Sequence, residues 1–81
     1  MIIKLTEEQY KYLFEEIIYK IRKQIQSTKR GKFYYIQVSE NVFDAINEWA
    51  KDELQKKGFD INYDLTFEGK VLEGIIDSFL L

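Results

Sequence analysis

Residues 59–67, Phe59-Asp60-Ile61-Asn62-Tyr63-Asp64-Leu65-Thr66-Phe67, alternate one apolar side chain with one polar side chain. A period of two is the signature of a β-strand with one buried and one wet face, because successive side chains project to opposite sides. The stretch is therefore expected to be a strand with Phe59, Ile61, Tyr63, Leu65 and Phe67 on a core and Asp60, Asn62 and Asp64 in water. One-sided alternation also implies helices on a single sheet face, since parallel sheets clad on both sides read as continuous apolar runs.

Working outward, Ser39 caps an expected helix whose buried face is traced by Val42, Phe43, Ala45, Ile46, Trp49, Ala50 and Glu53 or Leu54, and which ends at Lys56, Lys57 and Gly58. Before it, Phe33 to Val38 is short and rich in aromatic and β-branched residues, which favours a strand. Earlier still, Thr6 and Gln9 match a capping box. Tyr10, Leu13, Phe14, Ile17, Ile18, Ile21 and Ile25 then recur at helical spacing, so one helix is expected from Glu7 to about Gln26. Ser27 to Lys32 reads as a basic loop around Gly31, and Met1 to Leu5 as an edge strand. Beyond Gly69, the spacing of Val71, Leu72, Ile75, Ile76 and Phe79 fits a short last helix, with a hairpin turned at Glu68-Gly69 as the alternative. The expectation is an α+β domain spanning residues 1–81, in two layers. About three helices cover one face of a two- or three-stranded sheet, in the order β-α-β-α-β-α; were strands 33–38 and 59–67 parallel neighbours, their crossover would be right-handed.

Composition limits the chemistry. Apolar residues make up 46% and charged residues 32%, which places the chain among folding sequences and away from disordered ones. Histidine and cysteine are both absent, which removes the imidazole base, the thiol nucleophile, the serine triad and ordinary zinc sites. A mechanism built on two carboxylates needs a cleft that a chain of 81 residues hardly encloses, so no catalytic residue is expected. Asp60, Asn62 and Asp64 imitate the opening of a calcium loop, but Leu65 and Val71 stand where such a loop needs Gly and Glu. The glycines are too scattered for a phosphate-binding loop, and no cofactor is expected. Arg30 to Ile36 departs from an RNA-binding strand motif at Lys32, where that motif needs an aromatic. No export signal or bilayer-length apolar run is visible, and no cysteine calls for an oxidising compartment, so a cytoplasmic location is expected. The abundance of Lys, Ile, Asn, Tyr, Phe and Glu is that of an AT-rich coding sequence, as low-GC bacteria and their phages carry.

What remains are surfaces. Net charge is −2, but residues 1–32 carry +4 and residues 33–81 carry −6, an asymmetry that bears on partners more than on packing. Tyr12 and Tyr19 fall opposite the apolar stripe of the first expected helix, where tyrosines suit an interface. Glu40, Asp44, Glu48 and Asp52 repeat at i, i+4 and form an acidic ridge on the second. Lys20 to Lys32 carries no acid and leads into Phe33, Tyr34 and Tyr35. If Tyr34 faces the core, Phe33 and Tyr35 join Arg30 and Lys32 on the open sheet face, together with Asp60 and Asp64, which repel phosphate. The reading that follows is a non-enzymatic protein-interaction module, a small regulator or inhibitor with a protein partner or a second copy of itself. The alternative is a nucleic-acid binder acting through residues 20–35.

Overall fold

The computed structural model describes residues 1–80. Three antiparallel strands, β1 (Ile2–Thr6), β2 (Gln26–Arg30) and β3 (Phe33–Gln37), lie in the spatial order β1-β3-β2. Four helices, α1 (Glu7–Glu16), α2 (Tyr19–Arg22), α3 (Glu40–Lys57) and α4 (Phe67–Ser78), complete an α+β fold. The element order is thus β-α-α-β-β-α-α. The expected order fails at three places: the first helix, expected to run to about Gln26, is two helices, residues 59–67 are not a strand, and most of the expected basic loop is one.

The first helix starts as its capping box requires, with the Thr6 hydroxyl accepting from the Gln9 amide at 3.2 Å and the Gln9 side chain accepting from the Thr6 amide at 3.1 Å. It stops ten residues later, because Ile17 and Ile18 both take extended backbone. A side chain from beyond the break satisfies one of the carbonyls this frees. The Arg22 guanidinium donates to the Phe14 carbonyl at 2.8 Å, while Ile17, its amide still bonded to Leu13, turns its side chain into the core. The break turns the chain back toward the sheet, and Gln26 to Arg30 pairs with β3 across the two-residue loop Gly31-Lys32. Gly31 has φ +61°, and glycine with positive φ at the first position of such a loop is the type II′ hairpin pattern.

The alternation at residues 59–67 has another cause. Asp60 Oδ1 accepts from the amides of Asn62 at 2.8 Å and Asp64 at 3.0 Å, and the Asp60 amide donates to the Asp64 carbonyl, so the segment curls into a closed loop. Phe59 and Leu65 form an isolated bridge at its neck. Apolar residues meant for a core stand in water instead, with Ile61 93% and Tyr63 87% exposed. Thr66 then caps α4 and, by donating to the Lys57 carbonyl at 2.8 Å, ties it to the end of α3.

The core lies between the helices and one sheet face. Ile3 and Leu5 of β1 and Ile36 of β3 meet Leu13, Ile17, Val42, Ile46, Ala50, Val71, Leu72, Ile75 and Phe79. Tyr34 looks the same way and stacks on Tyr10, ring centres 4.0 Å apart. The opposite sheet face has no helix over it, as one-sided antiparallel sheets allow.

At the junction of α3 and α4 there is no room for a side chain on Gly69, whose added Cβ would meet the Gly58 carbonyl oxygen. Gly69→Ala is therefore expected to cost about 1–3 kcal/mol in urea unfolding. Gly74→Ala would press only on the end of the Gln9 side chain, which can give way at the expense of its capping bond to Thr6, and is expected to cost less.

Candidate functional site

Pairing of β1 and β2 on either side of β3 assembles three cross-strand rows on the uncovered face: Ile2, Gln37 and Gln26; Lys4, Tyr35 and Thr28; Thr6, Phe33 and Arg30. Side chains directly opposite in an antiparallel sheet share a face, so these nine form one surface. It holds two cations and two aromatic rings and no acid. Phe33 and Tyr35 are half-buried on the central strand, one pleat repeat apart, roughly 7 Å. The Lys4 ammonium sits 4.0 Å from the Phe33 ring centre, and the Arg30 guanidinium 5.8 Å from that of Tyr35. A shallow groove of about 390 Å³ runs beside Tyr35, between Ile2 on one edge and Gln26, Thr28 and Arg30 on the other.

Arg30, Phe33 and Tyr35 are thus brought together, and Lys32 is exposed at the adjoining hairpin tip. Asp60 and Asp64 are absent from this face, contrary to the sequence expectation, because their segment is the α3–α4 loop and not a strand. The basic run divides as well. Arg22 is spent on the Phe14 carbonyl, and Lys29 lies on the helical side of β2, 5.7 Å from the Tyr34 ring. Lys4, Thr28 and the two glutamines escaped the sequence reading. Lys4 was legible in principle, since Ile3 and Leu5 at alternate positions of β1 leave it facing outward.

The other candidate residues lie elsewhere. Tyr12 and Tyr19 do not share an exposed flank: Tyr12 packs half-buried between α1 and α3, 6.3 Å from Trp49, whereas Tyr19 sits beyond the helix break, 68% exposed. Glu40, Asp44, Glu48 and Asp52 are all exposed along α3, in the helical layer, so acids and the cationic face occupy different layers. A further surface is the tip of the α3–α4 loop, where Ile61 and Tyr63 project between Asp60 and Asp64. Tyr63 holds φ +62°, a costly conformation for an aromatic residue, and its amide donates to the Asp60 carbonyl at 3.0 Å.

With this geometry in view, comparison of the chain with protein-family models, with curated proteins and with solved structures gives no match. Among the described residues, no helix is long and apolar enough to cross a membrane.

Around Tyr12 the helices gather ionic groups. Lys57 pairs with Glu53 at 3.2 Å and approaches Glu16 at 3.9 Å. Burial, and after it the Glu68 carboxylate, push the Tyr12 phenol above its usual 10.0, with Lys57 opposing; hydrogen bonding to Glu53 and the Glu53 and Glu16 charges hold Lys57 above 10.5. Both groups keep their protons more tightly in the folded chain than in the unfolded one. Stability present below their unfolded values of 10.0 and 10.5 is therefore lost as pH rises through the higher folded values. The urea midpoint is expected to fall between pH 9 and pH 11, and Tyr12→Phe to reduce that fall. At pH 7 the same substitution should be close to neutral, because the buried Tyr12 hydroxyl has no hydrogen-bond partner among the described residues.

Proposed function

We propose that the chain is a non-enzymatic binding protein whose uncovered sheet face holds single-stranded nucleic acid. The observation that carries this reading is the acid-free surface of Phe33 and Tyr35 on the central strand, flanked by Lys4 and Arg30. Single strands are held by aromatic rings that stack on bases and by cations that follow the phosphates, a combination that tolerates many sequences because every base has a π face. Gln26, Gln37, Thr6 and Thr28 surround the rings with groups that both donate and accept hydrogen bonds to base edges and sugars. A duplex suits the face poorly, since neither groove admits a sheet of this breadth face-on and stacked bases are closed to Phe33 and Tyr35. The acidic ridge of α3 repels phosphate and favours approach from the sheet side.

Contact with a protein is a second reading, favoured by a separate observation. Ile61 and Tyr63, exposed on a loop braced by Asp60, form a preorganised apolar tip of the kind that fills a pocket on a partner. The two readings concern different surfaces, so one molecule can serve both.

Fluorescence anisotropy with labelled oligo-dT and oligo-U tests the first reading. Tyr35→Ala and Phe33→Ala are each expected to cost about 1–3 kcal/mol of binding, with circular dichroism checking that the sheet persists. Affinity should fall as salt rises, and Lys4→Ala or Arg30→Ala should each flatten the log–log slope by about 0.7. An Ile61→Ser, Tyr63→Ser double variant should bind oligonucleotide as the parent does. Absence of binding to either oligonucleotide at low salt would remove the reading.

A further inference from the structure

We propose that two copies of the chain join through the free edge of β2 into one six-stranded antiparallel sheet. The further statement that this doubles the face offered to a single strand rests on the function proposed above. All five residues of β2 are exposed, and the strand packs on β3, with a Tyr10–Ser27 hydrogen bond of 2.8 Å linking it to the helical layer. The hydrogen-bond phase of the sheet follows from its other edge. Val38 donates to the Met1 carbonyl at 2.9 Å, and the Met1 ammonium donates back to the Val38 carbonyl at 2.9 Å. Tyr34, Ile36 and Val38 therefore turn their backbone groups to the β1 side, and Phe33, Tyr35 and Gln37 turn theirs to β2. Their partners there are Arg30, Thr28 and Gln26. Ser27 and Lys29 are left with amide and carbonyl pointing outward, a row of groups ready for another strand.

A strand with the same sequence fits that row. When the two-fold axis passes through Thr28, Ser27 of each copy lies opposite Lys29 of the other, and Gln26 lies opposite Arg30 of the other. Every cation then faces a neutral hydrogen-bonding side chain, and four main-chain hydrogen bonds form between the Ser27 and Lys29 pairs. An axis through Lys29 would set two ammonium groups opposite each other, at a cost. The outer edge of β1 is the poorer site, because its Thr6 amide already donates to the Gln9 side chain. Two-fold pairing keeps both uncovered faces on the same side of the sheet. The joined surface carries Phe33, Tyr35, Lys4 and Arg30 from each copy, with the groove beside Tyr35 adjoining the seam. A contact of five polar residues per copy is far below a standard interface, so the dimer is weak by itself and a bound strand spanning both copies tightens it.

Sedimentation velocity of the full chain across a concentration series, with and without a long oligo-dT, tests this. The expected result is a monomer–dimer equilibrium that Ser27→Lys weakens and Ser27→Glu strengthens, each by about two- to thirtyfold, because the new side chain faces Lys29 of the other copy in both symmetric pairs. Both variants lose the Tyr10–Ser27 hydrogen bond, so a purely structural effect would move them in the same direction. Movement of both in one direction, or a monomer at every concentration with and without oligo-dT, overturns the proposal. A dimer that ignores oligo-dT supports the edge pairing and removes the nucleic-acid reading. One chain per strand, bound without cooperativity or dimer, removes the edge pairing and leaves that reading intact.

Discussion

Hydrogen bonding of β3 along both edges is the constraint on which the molecule depends. A strand held by two ladders cannot rotate, and a slip of one residue would send Ile36, fully buried, into water and Tyr35 into the helices. Core and candidate site are therefore opposite sides of five residues: Tyr34 and Ile36 hold the helices, while Phe33, Tyr35 and Gln37 face outward. The cost of opening one side falls on the other. This lets a short chain keep two half-exposed aromatic rings in a fixed relation without a second layer to brace them.

The helices contribute by standing aside. Had α1 continued to Gln26, it would have carried the chain about 30 Å along one axis instead of turning it back, so that Gln26–Arg30 could not have reached β3, which would then have been an edge. Extended backbone at Ile17 and Ile18 prevents this, made affordable by Ile17 entering the core and by Arg22 reaching the Phe14 carbonyl. One cation of the basic run is thus consumed structurally, one shields Tyr34, and Arg30 reaches the uncovered face beside Lys4 from the other edge. A run that reads as one patch along the chain is three separate assignments in space.

Charge is sorted in the same way. The acids of α3 and of the α3–α4 loop occupy the helical layer and its end, and the uncovered sheet face keeps only cations and neutral groups. The uncovered face is thus locally cationic although net charge is −2. The loop tip at Ile61 and Tyr63 adds an apolar element ringed by carboxylates, held by Asp60 in a conformation that an aromatic residue adopts only under constraint.

Sequence alone determined the features whose physics is local. The Thr6 and Ser39 caps, the stripe of α3, the termination after Lys57 and the strand at Phe33 each follow from neighbours within a few residues, and so does the outward aim of Phe33 and Tyr35 once Tyr34 is placed inside. Only the tertiary structure decided what lies beside β3. β2 is wholly polar, in keeping with its packing against no helix, so it carries no periodic signal and reads as a loop; α1 breaks where Ile17 and Ile18 take extended backbone, inside an apolar stripe whose helical spacing runs on unbroken. Residues 59–67 show the converse: their alternation is real, but a strand needs a neighbour to pair with, and Asp60 closes the segment on itself first. Periodicity reports which faces a segment could offer, and pairing, a long-range event, settles whether anything comes to meet them.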